Sequence, residues 1–141
     1  MKHLWYTTIP QPFLFATFIF YNMVKSFENL FIWQEARILV NCIYHMMENH
    51  KDYGFRDQIQ RAAVSIMNNI AEGFDSGSDA KFSNFLDISK GSCSEVRSML
   101  YLCEDLGICD NEQRAELQLK SKQISAGITN LISHLHKDTK E

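Results

Sequence analysis

The stretch RAAVSIMNNIAEGFDSGSDAKFSNFLDISKGSCSEV, Arg61 to Val96, reads as two amphipathic helices around a glycine- and serine-rich turn. Ala62, Ala63, Ile66 and Ile70 recur at helical spacing before Gly73, and Phe82, Phe85, Leu86, Ser89, Cys93 and Val96 do so after Ser76-Gly77-Ser78. Gly73 is the expected stop of the first helix, because glycine enters the left-handed region without a Cβ clash. Ser78 is placed as an N-cap for the second, with Asp79 favourable to the helix dipole. Polar residues interrupt both seams. Ser65, Asn69 and Glu72 run along the edge of one, Ser89 and Ser92 sit inside the other, and Glu95 flanks it. A hydroxyl in an apolar seam must find an acceptor, since leaving it buried and unpaired costs about 1–3 kcal/mol. These six residues are therefore read as a structural polar layer, with a catalytic or ligand site as the rival.

The same periodicity gives four helices from Phe27 onward. They are expected over about Glu28–His50, Phe55–Gly73, Asp79–Leu106 and Asn111–Lys137. Gly107 ends the third, and Leu117, Ile124, Ile128, Leu131, Ile132 and Leu135 stripe the fourth. Short connections make consecutive helices antiparallel. The fold class is all-α, an up-down-up-down four-helix bundle over residues 25–141.

The first helix carries more apolar surface than one bundle core requires. Gln34, Arg37, Asn41, His45 and Glu48 share one narrow wedge, and nearly everything else is apolar. An arc this wide needs cover on a second side, because monomers rarely expose large contiguous apolar patches. Phe31, Trp33, Ile38, Val40, Tyr44, Met46 and Met47 are the candidates for an oligomer interface.

Residues 1–24 do not share this pattern and read as an N-terminal extension. FLFATFIFY, Phe13 to Tyr21, is too short to span a bilayer. Pro10 and Pro12 precede it and no small-x-small site follows it, against a secretory signal. Met23 opens a plausible natural start. The alternative is a hydrophobic arm that packs on a neighbour. Removing residues 1–22 is expected to leave the bundle folded, because its helices and caps lie downstream. Thermal unfolding of a chain starting at Met23 checks this; a fall of many degrees, or loss of the oligomer, would make the segment an integral packing element.

Hydrophobic residues form 45% of the chain against 2 Pro and 6 Gly, a globular composition. A net charge of −3 argues against a protein that grips polyphosphate over its whole surface, so any contact with RNA or DNA is expected to be weak and salt-dependent. Cys42, Cys93, Cys103 and Cys109 show no C-x-x-C pairing and read as free thiols of a reducing cytoplasm. No histidine falls in the second or third helix to serve a serine nucleophile. Glu72 and Glu95 lack the Glu-x-x-His companions of di-iron bundles, and His134 and His136 point to different sides of one helix. No metal, cofactor or membrane partner is expected, and no catalytic residue is assigned.

Ser65-Ile66-Met67-Asn68-Asn69-Ile70-Ala71-Glu72-Gly73 resembles the SI-x-x-NIAEG signature of the 23S rRNA intervening-sequence (S23) proteins. Phe82-x-x-Phe85-Leu86-x-Ile88-Ser89-x-Gly91-Ser92-x-x-Glu95 is similar to the second signature of that family. Phe27-x-x-Leu30-x-x-Trp33 and the Tyr53-Gly54 to Ala63 segment also fit, so the resemblance runs from about Phe27 to Leu135. Lys81 stands where the family often carries an acid, which removes a reciprocal capping box from expectation. The resemblance implies a four-helix bundle that assembles as a homopentamer. It also implies a fold similar to the accessory variability protein of diversity-generating retroelements, which binds nucleic acid and a reverse transcriptase through basic surface. The acidic balance of this chain weakens that carry-over. The family name refers to insertions in rRNA genes and does not by itself establish ribosome binding.

The functional expectation is a non-enzymatic, cytoplasmic, oligomeric interaction module, with an RNA- or DNA-containing partner in view. The alternative is a small enzyme or ligand-binding protein built on Asn69, Glu72 and Ser92.

Overall fold

The computed structural model describes residues 23–138. The apolar run Phe13 to Tyr21 and Lys140 lie outside them. A 3-10 turn, Phe27–Asn29, leads into α1 (Phe31–Met46), α2 (Tyr53–Phe74), α3 (Asp79–Asp105) and α4 (Asn111–Asp138). The chain is an all-α four-helix bundle. Side-chain register gives the directions. Ser89 meets the carbonyl of Ile66, and Ser92 meets Ser65 (α2 against α3). Ser121 meets the carbonyl of Cys93, and Gln118 that of Arg97 (α3 against α4). Lys120 meets Glu35, and Ile32 abuts Gly127 (α1 against α4). In each pair one number rises as the other falls, so neighbouring helices are antiparallel.

Local chemistry places the starts. Asp52 Oδ1 accepts from the Phe55 N–H at 3.0 Å, Ser78 Oγ from Lys81 N–H at 3.3 Å, and Asp110 Oδ1 from Gln113 N–H at 2.8 Å. The first helix starts later than its periodicity predicts. Leu30 holds an extended backbone (φ −74°, ψ 124°) and separates the 3-10 turn from α1 without a side-chain cap. Its own side chain is buried, so packing rather than capping fixes that junction. At the other end α1 stops at Met46, ahead of the expected His50. Val24 and Phe27 pack against the core, just upstream of the helices.

Gly73 departs from expectation. It is a buried helical residue one position before the end of α2, and among the described residues only Gly77 (φ 82°) and Gly107 (φ 69°) are left-handed. A Cβ on Gly73 would lie 2.7 Å from both Phe82 Cδ2 and Phe85 Cβ. The missing side chain lets α3 cross close over α2. Gly107 does end α3 as expected.

The core runs the length of the bundle through Leu39, Ile43, Ile66, Leu86, Leu100 and Ile128, all fully buried. Burying each such side chain contributes about 1.5–3 kcal/mol. On α1 the core-facing row is Ile32, Ala36, Leu39, Ile43 and Met47. Met47 is thereby corrected: it is fully buried within its own bundle and has no surface to offer a partner. Trp33, Val40 and Met46 are half-buried and packed on the core. Phe27 meets the Trp33 ring edge-on at 5.2 Å and Arg37 lies 5.8 Å from its centroid, so the 3-10 turn covers part of the wide arc from within. Phe31, Ile38 and Tyr44 stay exposed.

Candidate functional site

The polar residues of the quoted stretch converge between α2 and α3. Asn69 Nδ2 donates to the Ser65 carbonyl at 2.8 Å and to Ser65 Oγ at 3.0 Å. Ser65 and Ser92 hydroxyls are 2.8 Å apart, and Ser92 donates to the Ile88 carbonyl at 3.1 Å. Proton bookkeeping gives one direction: Asn69 N–H to Ser65 O–H to Ser92 O–H to the Ile88 carbonyl. Ser89 separately donates to the Ile66 carbonyl at 2.7 Å, wholly buried. Each serine thus spends its proton on an acceptor of the fold. Neither Ser65 nor Ser92 has a base within reach, which a nucleophile needs.

Glu72 and Glu95 are not in this group. Both are exposed, and neither bonds to Ser65, Asn69, Ser89 or Ser92. Their helical angles turn them past the seam into water, where a carboxylate keeps its hydration. The layer is therefore Ser65, Asn69, Ser89 and Ser92.

A second polar layer, between α3 and α4, went unread in the sequence. Ser121 Oγ, fully buried, donates to the Cys93 carbonyl at 3.0 Å. Gln118 Nε2 donates to the Arg97 carbonyl at 3.0 Å, and its Oε1 accepts from Arg114 Nη1 at 2.8 Å. Asn111 donates to the Glu104 carboxylate and Arg114 pairs with it, and these bonds, in that order, hold the Glu104 carboxyl below its ordinary range. The signal for Ser121 was present: Leu117, Ser121, Ile124, Ile128, Leu131 and Leu135 step by four and three without a break. Gln118, beside it, carries no such mark.

Above Gln118 lies a half-open cleft of about 280 Å³, lined by Ser94, Arg97, Ser98, Tyr101, Gln118 and Lys122. The three buried cysteines are held as thiols. Burial pushes the Cys93 thiol up to about 11 and the Cys103 thiol up to about 12, and burial raises Cys109 as well. All four cysteines are free. Among the described residues no three His, Cys, Asp or Glu side chains gather in a metal-binding group, and no helix is long and apolar enough to cross a membrane.

Comparison with known proteins fits this geometry. A search of curated proteins gives no match. A crystal structure of a protein of unknown function from the S23 ribosomal protein family of Bacteroides thetaiotaomicron superposes with a TM-score of 0.64 at 25% identity, covering 72% of this chain and 97% of that one. The profile described as 23S rRNA-intervening sequence protein matches residues 28–130, from the 3-10 turn into the last helix. With a match of that extent, the chain belongs to the 23S rRNA-intervening sequence protein family.

Proposed function

We propose that the protein is a non-catalytic interaction module that assembles with copies of itself into a ring. The observation that carries this is a pair of different exposed apolar strips on opposite faces of the bundle. Phe31 and Ile38, with half-buried Cys42 one turn beyond Ile38, lie on the flank of α1 that holds Glu35 against Lys120 of α4. Ile88 and Leu102, with Leu106 just past the helix end, lie on the flank of α3 beside Ser92, which bonds to α2. Two unlike strips facing opposite ways favour a head-to-tail contact, which generates a ring when the rotation between copies closes and an open filament when it does not. The ring is the closed form that the family resemblance implies. Five copies is the number that the family resemblance implies. A nucleic-acid-containing partner is the client we propose for the ring, in keeping with the family's name, within a reducing cytoplasm.

Light scattering coupled to size exclusion tests the assembly. The wild type should elute at several times the protomer mass, and Ile38→Glu and Leu102→Glu should each abolish it. Mixing the two variants should restore one intact contact and give a heterodimer. A monomeric wild type sinks the proposal. A face-to-face dimer that survives in either variant alone would replace the ring with a two-fold assembly.

A further inference from the structure

We infer that the cleft between α3 and α4 binds the phosphate of a small phosphorylated molecule. This does not rest on the ring, since every lining residue belongs to one protomer. Ser94, Arg97, Ser98 and Tyr101 follow one another at i, i+3, i+4 and i+7, which places them on a single face of α3. Lys122 faces them from α4, one turn beyond Gln118. Among the described residues, Arg97 and Lys122 form no ion pair within the chain. Two cations without an ion-pair partner thus line one cleft of a chain whose net charge is −3.

The hydroxyls of Ser94, Ser98 and Tyr101 bond to no group of the described chain, so three residues with a free neutral donor line the same cleft as the two cations. That is the donor set of a phosphoryl site, with Arg supplying a planar fork and Lys a point charge. The walls are fixed. Arg114 sits 5.1 Å from the Tyr101 ring centroid while bonded to Glu104 and Gln118, and Gln118 in turn ties α4 to the Arg97 backbone. Arg114 is thus committed to the scaffold, whereas Arg97 and Lys122 are available.

The dimensions choose between a small molecule and a polyanion. A cleft of about 280 Å³ lies at the lower edge of the roughly 300–1,000 Å³ typical of ligand sites. Two cations suit one terminal phosphate. A nucleic-acid strand needs a longer track of charge than this face provides.

Calorimetric titration of the full chain tests the site, with inorganic phosphate and adenosine 5′-monophosphate as probes at constant ionic strength. Adenosine and a single-stranded oligonucleotide without terminal phosphates are the controls. Both phosphate probes should bind, and adenosine should not. Lys122→Glu should weaken binding by about tenfold or more, as loss of a charge-assisted hydrogen bond does. Arg97→Gln should act similarly; Lys122 is exposed, so its variant keeps the test sound even if Arg97→Gln folds poorly. No binding of either phosphate probe up to about 10 mM, which is weaker than about −3 kcal/mol, would overturn the inference. Equal affinity for adenosine, an unchanged Lys122→Glu variant, or binding of the oligonucleotide without terminal phosphates alone would overturn it as well.

Discussion

Leu39→Ala should destabilise the bundle by about 2–5 kcal/mol. Leu39 is fully buried in the middle of the core-facing row of α1, between Ala36 and Ile43. Truncation removes apolar atoms from a site already lined by side chains of the other helices, and a packed interior closes only part of the resulting void. The cost falls on α1 because its start is held by packing rather than by a side-chain cap. Its N-cap, Leu30, makes no side-chain hydrogen bond, whereas Asp52, Ser78 and Asp110 cap the other three helices. Chemical denaturation of wild type and variant measures the change. A loss below about 1 kcal/mol would mean that α1 sits outside the cooperative unit, since a fully buried leucine normally contributes more. Hydrogen exchange confined to α1 would then show where the cooperativity breaks.

Gly73→Val should cost about 3 kcal/mol, at the upper end of ordinary overpacking. A single Cβ already falls 2.7 Å from two atoms, and one of them, Phe85 Cβ, is attached directly to the backbone of α3. It cannot swing aside, so α3 must move off α2, disturbing the Ser65–Ser92 and Ser89–Ile66 hydrogen bonds farther along the same contact. Gly91 supplies the internal control. It is also helical, but a Cβ there meets nothing within 4 Å, so Gly91→Ala should stabilise by about 0.5–1 kcal/mol through helix propensity alone. Thermal unfolding of both variants decides the matter. A neutral Gly73→Val would show that the close approach is not required, and the glycine would need another explanation.

Periodicity alone made the bundle legible, because a helix shows its buried face every 3.6 residues and that spacing survives in the sequence. The Ser78 cap and the Gly107 stop were readable for the same reason: both depend on chemistry within a few residues of chain. Ser65, Asn69, Ser89 and Ser92 could be singled out as polar residues in or beside apolar seams, and the i, i+4 contact of Asn69 with Ser65 is itself local.

What lay beyond reach is what depends on which helix stands opposite. Helical angle put Glu72 and Glu95 near the seam, but only the position of the facing helix decides that Ser92 meets Ser65 while both carboxylates stay in water. Gly73 is a helix stop by local rules and a contact point in fact, because the rings above it come from a different helix. The same holds for the surface. Sequence established that α1 is too apolar for one seam; tertiary structure buried Met47, laid Phe27 on Trp33 and left Phe31 and Ile38 bare. Arg97 and Lys122 are separated by a whole interhelical turn, and no pattern in the chain joins them. They line one cleft because Gln118 and Ser121 lock α4 against α3 in a single register.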